Sequence, residues 1–285
     1  MPELPEVETI VREIRPHLLG RKIVFVRASK KSLRRRWSKA WGRQLVGQRV
    51  VAVQRRGKWI NVGLGGGGCL VVHLGMTGQF RVMPADMPLA PHTHLVLGLD
   101  DRRRELRFRD VRRFGSASFF PNAAAVEAFF RDSVLGPEPF DTESAYWRGR
   151  LSQTVRSLKA VLLDQRVVAG VGNIYADEAL FEARLHPSRP GHELRPVEAE
   201  RLRRAVVKVL NRAIERRGST IRDYIGGSGE RGGYQHEFRV YGRYGDPCVR
   251  CREPIERIRL AGRATHFCPR CQPLPQAALA RDRSS

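Results

Sequence analysis

Four of the five cysteines fall into one pattern: Cys248-x2-Cys251, sixteen residues, then Cys268-x2-Cys271. Two close pairs at the tips of two hairpins can set four thiolates around one tetrahedral Zn2+. Turn formers flank them, with Gly245-Asp246-Pro247 before the first pair and Pro269 inside the second. Between the pairs, Ile255-Glu256-Arg257-Ile258-Arg259-Leu260 alternates apolar and polar side chains, as a strand does. The competing reading is a pair of disulfides. It fits poorly with a chain that opens on the acidic Met1-Pro2-Glu3-Leu4-Pro5-Glu6 and shows no secretory signal. Four thiolates leave no open coordination position, so the one Zn2+ expected here is structural. Cys69, in the apolar run Cys69-Leu70-Val71-Val72, reads as a small buried side chain.

Charge is the second chemical signal. The chain has 285 residues and a formal net charge of +23, and its cations are 45 Arg and only seven Lys. So large a positive charge on a folded chain points to a polyanion, most often nucleic acid. A hydrophobic content of 41% is enough for real cores, which excludes a disordered basic tail. No run approaches the ~18 apolar residues of a membrane helix. A cytoplasmic protein with no membrane partner is expected.

These groups need elements to position them. Residues 5–18 read as a helix, with Val7, Ile10, Val11, Ile14 and Leu18 at helical spacing, Pro5 in the first turn and Gly20 at the C-terminal end. Pro16 should kink or loosen the last turn. From about 22 to 120 the signals are short strands, at 23–26, 50–53, 59–62, 70–72, 94–97, 105–108 and 116–119, which suggests a β-sandwich or barrel. A helix follows near 123–132, and Leu135-Gly136-Pro137-Glu138-Pro139 reads as a linker. Helical patterns then cover 143–151, 154–163, 174–183 and 196–216. A Gly-rich loop at 226–233 precedes the cysteine module. The expected class is α+β: an N-terminal helix on a β-sandwich (1–134), a helical domain (135–235), a zinc-binding β-hairpin (236–272) and a tail (273–285). A positive groove between two basic lobes would suit a duplex.

With this plan in place, the chain resembles the bacterial formamidopyrimidine-DNA glycosylases and the related endonuclease VIII enzymes. The resemblance is carried by Pro2-Glu3-Leu4-Pro5-Glu6-Val7-Glu8-Thr9, Arg55-Arg56-Gly57-Lys58, His73-Leu74-Gly75-Met76-Thr77-Gly78, Asp110-Val111-Arg112-Arg113-Phe114-Gly115, Gly170-Val171-Gly172-Asn173-Ile174-Tyr175, Val240-Tyr241-Gly242, and Gly262-Arg263-Ala264-Thr265 with the four Cys. Seven pieces in family order, from residue 2 to residue 271, make it specific. Leu4 matches the formamidopyrimidine branch, since the endonuclease VIII branch tends to have Gly there. The helical domain would then be a helix–two-turns–helix module.

The resemblance implies roles. Removing Met1 would expose the secondary amine of Pro2, and an α-amino group with a pKa near ~8 is partly neutral at physiological pH. Such an amine can attack the anomeric carbon of a damaged nucleoside and form a Schiff base. Glu3 would be the acid that shuttles protons and Glu6 a partner of the sugar or base. Lys58 would donate a proton in β-elimination and contact phosphate. It is one of few lysines in an arginine-rich chain, and a lysine offers a titratable amine that arginine lacks. Met76, Arg112 and Phe114 would fill the hole left by an extruded base and hold its partner. Asn173, at the start of a helix after a glycine turn, would contact phosphates, as would Lys159 and His92. Lysines that the family often carries just upstream of Lys159 are replaced here by Gln153, Thr154 and Val155. Arg263, at the hairpin tip, would reach phosphates and assist δ-elimination, and residues 219–234 match the segment that caps the extruded base.

The implied function is a monomeric bifunctional DNA glycosylase and AP lyase of damaged double-stranded DNA. It would excise 8-oxoguanine and formamidopyrimidines. The rivals are an endonuclease VIII-type specificity for oxidised pyrimidines and a non-catalytic zinc-hairpin DNA-binding protein.

Overall fold

The computed structural model describes residues 1–219 and 232–274. Helix α1 (Leu4–Leu18) forms where the apolar stripe predicts it, and Val7, Ile10, Val11, Ile14 and Leu18 are all buried. Its start is closed by a capping box: the Glu3 side chain accepts from the Glu6 backbone, and the Glu6 side chain accepts from the Glu3 N–H. Pro16 does not end the helix early, because it falls in the last turn, where few intrahelical N–H donors remain to be lost.

Two four-stranded antiparallel sheets follow. One has the order β1 (Ile23–Ala28), β6 (Thr93–Leu99), β7 (Arg104–Arg109), β5 (Gln79–Pro84). The other has the order β2 (Val50–Arg56), β3 (Trp59–Leu64), β4 (Cys69–His73), β8 (Ser116–Phe120). The apolar stripe of α1 and residues of both sheets, including Ile60, Val72, Phe80 and Phe108, form one buried core. Cys69 is buried, as expected, and burial pushes its thiol up to about 11. Two short helices complete this part, α2 (Lys39–Leu45) and α3 (Ala123–Asp132). Neither α2 nor β5 was expected from the sequence. Only Leu45 of α2 is buried, so it carries no apolar stripe, while β5 follows directly on the Gly75–Gly78 turn.

The helical part contains α4 (Ser144–Ser152), α5 (Leu158–Leu163), α6 (Asn173–Ala183) and α7 (Pro196–Glu215). Helix α5 starts later than the apolar pattern suggested, because the Ser157 side chain caps it by accepting from the Ala160 N–H. Strands β9 (Glu256–Leu260) and β10 (Arg263–Phe267) pair as the hairpin between the two cysteine pairs.

The chain divides into two compact units: Met1–Val134 with Ile214–Gln235, and Leu135–Ala213 with His236–Ser285. The described residues 214–219 and 232–235 therefore group with the sandwich, and the cysteine hairpin groups with the helices. Hydrogen bonds within each unit, given below, account for both assignments.

Candidate functional site

In the first unit the start of α1 concentrates the expected chemistry. Pro2 is buried, and Glu3 and Glu6 are each 2% exposed. Glu6 uses both carboxylate oxygens. Its Oε2 accepts from the Glu3 N–H at 2.9 Å, and its Oε1 accepts from the Ser219 N–H at 2.7 Å and the Ser219 hydroxyl at 3.1 Å. Gly218 has φ +74°, and a Cβ there would lie 2.8 Å from Glu6 Oε1, so only glycine admits this approach. On the far side, the Tyr234 N–H donates to the Gly218 carbonyl at 3.0 Å and the Gly233 N–H to the Arg216 carbonyl at 2.9 Å. Both ends of the expected capping segment 219–234 are thus pinned beside Glu6, while positions 220–231 lie outside the described residues. Sequence reasoning missed Ser219 as a partner of Glu6, since no local signal links positions 213 residues apart.

Lys58 occupies the turn between β2 and β3 and is 7% exposed. The turn is tied to α1: Arg55 Nε donates to Glu8 Oε2 at 3.1 Å, and an Arg55 guanidinium nitrogen donates to the Gly57 carbonyl at 3.2 Å. Glu8 also pairs with Arg12 at 2.8 Å. Burial raises the Glu8 carboxyl, but the two arginines outweigh it and hold the group below its usual range. His73 closes β4 and accepts the Gly75 N–H on Nδ1 at 3.1 Å. Burial, with Lys58 and Arg34 nearby, pushes His73 down to about 4 and keeps that ring neutral. The bond to Gly75 needs the neutral form, because Nδ1 must offer a lone pair.

Met76 lies half-buried in the β4–β5 loop, and Arg112 and Phe114 are exposed in the β7–β8 loop. The Arg112 guanidinium sits 4.7 Å from the Phe114 ring centroid. An aromatic ring left 48% exposed and covered by a cation suits contact with stacked bases better than a core role. His92 is exposed just before β6, with φ +68°.

In the second unit Asn173 opens α6. Its Nδ2 donates to the Ala264 carbonyl of β10 at 3.1 Å, which leaves one amide hydrogen for another acceptor. Arg263 is exposed at the hairpin tip, where Ala261 (φ +48°) and Gly262 (φ +71°) form a two-residue turn of the kind that suits tight hairpins.

Lys159 corrects an expectation. It is 0% exposed, with Nζ donating to the Asn173 carbonyl at 2.8 Å and to Asp177 Oδ1 at 2.5 Å, so it does not face a phosphate. Asp177 Oδ2 also accepts from the His266 N–H at 3.0 Å. One residue on, the Glu178 carboxylate accepts the N–H groups of Arg239, Val240 and Tyr241 at 2.9–3.1 Å. Burial raises the Glu178 carboxyl despite those three bonds. Further upstream, Arg156 pairs with Asp164 at 2.8 Å and Val155 is 79% exposed, so the stretch before Lys159 offers little cation to a partner.

Cys248, Cys251, Cys268 and Cys271 bring their sulfurs within 4.8 Å of one another. The Cys251 sulfur lies 3.4 Å from those of Cys268 and Cys271, and the Cys248 sulfur lies 3.9 Å from that of Cys271. A tetrahedron with Zn–S bonds of about 2.3 Å has S–S edges of about 3.8 Å, whereas a disulfide needs about 2.05 Å. The four thiolates fit one structural zinc ion.

Family models match three stretches: a formamidopyrimidine-DNA glycosylase N-terminal domain over residues 1–117, a formamidopyrimidine-DNA glycosylase H2TH domain over 135–224, and a zinc finger found in FPG and IleRS over 245–274. A formamidopyrimidine-DNA glycosylase of Thermus thermophilus is 47% identical, covering 95% of this chain and 98% of that protein. One from Desulforamulus reducens is 44% identical over 95% of this chain and 99% of that protein. Among solved structures, a Lactococcus lactis FPG complex with a FAPY-dG containing DNA superposes with a TM-score of 0.88 at 34% identity, covering 95% of this chain and all of that one. MutM in complex with carbocyclic 8-oxo-G containing DNA gives 0.88 at 35% identity, over 96% of this chain and 100% of that one.

Proposed function

The chain belongs to the formamidopyrimidine-DNA glycosylase family, and on that premise we propose that it is a bifunctional DNA glycosylase and AP lyase that excises oxidised purines from duplex DNA in base excision repair. The observation that carries the reading is the start of α1, where Pro2 is buried beside two buried carboxylates, Glu3 and Glu6. Once Met1 is removed, the Pro2 nitrogen attacks C1′ of the damaged nucleotide, and the C1′–base bond breaks as the C1′–N bond forms. Glu3 supplies a proton at the ring oxygen or the departing base. Ring opening leaves an iminium that joins Pro2 to the sugar. A C2′ proton then passes to water and the C3′–O bond breaks, with Lys58 as proton donor to the departing 3′ phosphate. A second elimination expels the 5′ phosphate, with Arg263 at the flanking phosphates, and water hydrolyses the remaining iminium, which frees Pro2 and leaves a one-nucleotide gap.

Met76, Arg112 and Phe114 occupy the space of the extruded base, and His92 and Asn173 contact the backbone. Glu6 holds the entry to the capping segment. The zinc site acts indirectly, by fixing the hairpin that presents Arg263. The enzyme works as a monomer in the bacterial cytoplasm, on nucleoid DNA.

The test is borohydride trapping with Met1-processed protein on duplexes carrying 8-oxoguanine, a formamidopyrimidine or dihydrothymine. The expected result is a covalent protein–DNA adduct with the two purine lesions, absent in Pro2→Ala extended by an N-terminal methionine. No adduct on any lesion sinks the Schiff-base mechanism, and an adduct confined to dihydrothymine moves the specificity to oxidised pyrimidines.

A further inference from the structure

Asp110 follows β7 and is 0% exposed. Three of its four polar groups reach the loops that carry His92, Met76, and Arg112 with Phe114, and the fourth reaches β6. The backbone N–H donates to the His92 carbonyl at 3.0 Å. The backbone carbonyl accepts from His94 Nε2 at 3.0 Å, which places the proton of that ring on Nε2. In the side chain, Oδ1 accepts the Thr77 hydroxyl at 2.5 Å and Oδ2 accepts the Gly115 N–H at 2.7 Å. Thr77 then uses its oxygen to accept the Arg112 N–H at 3.1 Å. His92, Met76 with its neighbour Thr77, and Arg112 with Phe114 are thereby joined through one buried carboxylate.

The loops also meet backbone to backbone. A Cβ on Gly75 would lie 2.5 Å from the Gly115 nitrogen, and one on Gly115 would lie 2.9 Å from Asp110 Oδ2. No side chain separates the turn carrying Met76 from the turn carrying Phe114. Their relative placement is set by these contacts and by the carboxylate between them.

We propose that Asp110 is a positioning residue for base extrusion: it holds Met76, Arg112 and Phe114 in the arrangement that fills the duplex when the damaged base leaves. The inference rests on the reading of those three residues given above. Asp110 touches no DNA and takes no part in bond breaking. Its role follows from what a carboxylate alone can do here. Both of its oxygens accept, one from a hydroxyl and one from an amide, in a dry site where a charged acceptor holds its donors strongly. Asparagine keeps the shape but presents an NH2 to one of those donors. Side chains that insert between bases must be ordered beforehand, or the ordering cost falls on the insertion step.

The experiment compares single-turnover cleavage of an 8-oxoguanine·cytosine duplex with cleavage of a single strand carrying an abasic site. Only the first requires a paired base to be displaced. Wild-type cleavage of both is the check on the proposed function, and failure there overturns that reading rather than this one. For Asp110→Asn the ratio of duplex to single-strand rate is expected to fall by roughly ten- to a hundred-fold, the scale of an ångström-level misplacement. Thr77→Val should reproduce the fall, and Thr77→Ser, which keeps the hydroxyl, should restore the ratio. 2-Aminopurine placed beside the lesion should lose its fluorescence change on binding in the two impaired variants. A ratio that stays at the wild-type value, whether both rates are kept or both drop together, overturns the proposal, because a purely structural defect lowers the two rates equally.

Discussion

Glu6 shows how a single carboxylate can connect two parts of a site. Its Oε2 takes the Glu3 N–H and its Oε1 takes two donors from Ser219, so all three partners require an acceptor. Glutamine can satisfy one side only and turns an NH2 toward a donor on the other. Losing a hydrogen bond to a charged group costs about 1.5–3 kcal/mol. If the Ser219 side is lost, the entry to the capping segment loosens. If the Glu3 side is lost, the capping box of α1 opens. Glu6→Gln is therefore expected to slow base excision by roughly tenfold or more, on the conversion of about 1.4 kcal/mol per tenfold. Cleavage at a preformed abasic site, which has no base to cap, should slow less. Equal slowing of both, measured in single turnover, would place the whole effect on the chemistry at Pro2 instead. Glu6 was visible through the resemblance, one turn along from Glu3 at the start of an apolar stripe. Ser219 was invisible as its partner, because nothing in the local pattern predicts a contact across 213 residues.

At the scale of elements, α6 organises the second unit through residues on successive turns. Asn173 reaches Ala264, Asp177 holds Lys159 and His266, Glu178 gathers the amides of 239–241, and Glu182 pairs with Arg239, Arg250 and Lys208. The zinc hairpin and the Val240-Tyr241-Gly242 turn are thus both fastened to one helix. Replacing Lys159 by Met leaves Asp177 with a buried charge that has lost its cation, a loss of about 3–5 kcal/mol by analogy with other broken buried pairs. Lys159→Met should lower the denaturation midpoint accordingly, and Lys159→Met with Asp177→Leu should recover part of it. The slope of DNA affinity against salt should stay unchanged, since Lys159 meets no phosphate; a slope reduced by about 0.9 would mean that it does. The sequence could not separate these roles. The resemblance alone pointed Lys159 at a phosphate, and the aspartate that buries it is 18 positions away. By contrast α1, α7 and the hairpin were legible, because an apolar stripe or a paired cysteine spacing states the element within a short window. Helix α2, with one buried side chain, has no such stripe to read.

For the whole molecule, the +23 charge divides into two populations. Some arginines are structural: Arg107 is 6% exposed, pairs with Glu105 at 2.7 Å and donates to the Met87 carbonyl at 2.8 Å, and Arg189 pairs with Glu198 at 2.9 Å. These cannot be counted toward a phosphate track. The other population is concentrated. No acidic residue occurs between Glu13 and Asp86, and within that stretch Lys30, Lys31, Arg34, Arg35, Arg36 and Lys39 are all exposed. Three of the seven lysines lie in this one segment. It is also joined to the loop of Arg112 and Phe114, since the Arg34 N–H donates to the Gly115 carbonyl at 3.0 Å. Cations without local acids, continuous with the residues proposed to enter the duplex, should contact phosphates flanking the lesion. Each neutralised phosphate adds about 0.9 to the slope of log affinity against log salt concentration. Changing Lys30, Lys31, Arg35 and Arg36 together to Gln should then lower that slope by about 3–4 on undamaged duplex, and weaken binding at low salt far more than at high salt. Fluorescence anisotropy across a salt series measures both. If the slope is unchanged, the segment is a solvated charged surface, and the salt-sensitive part of binding must come from cations elsewhere on the chain.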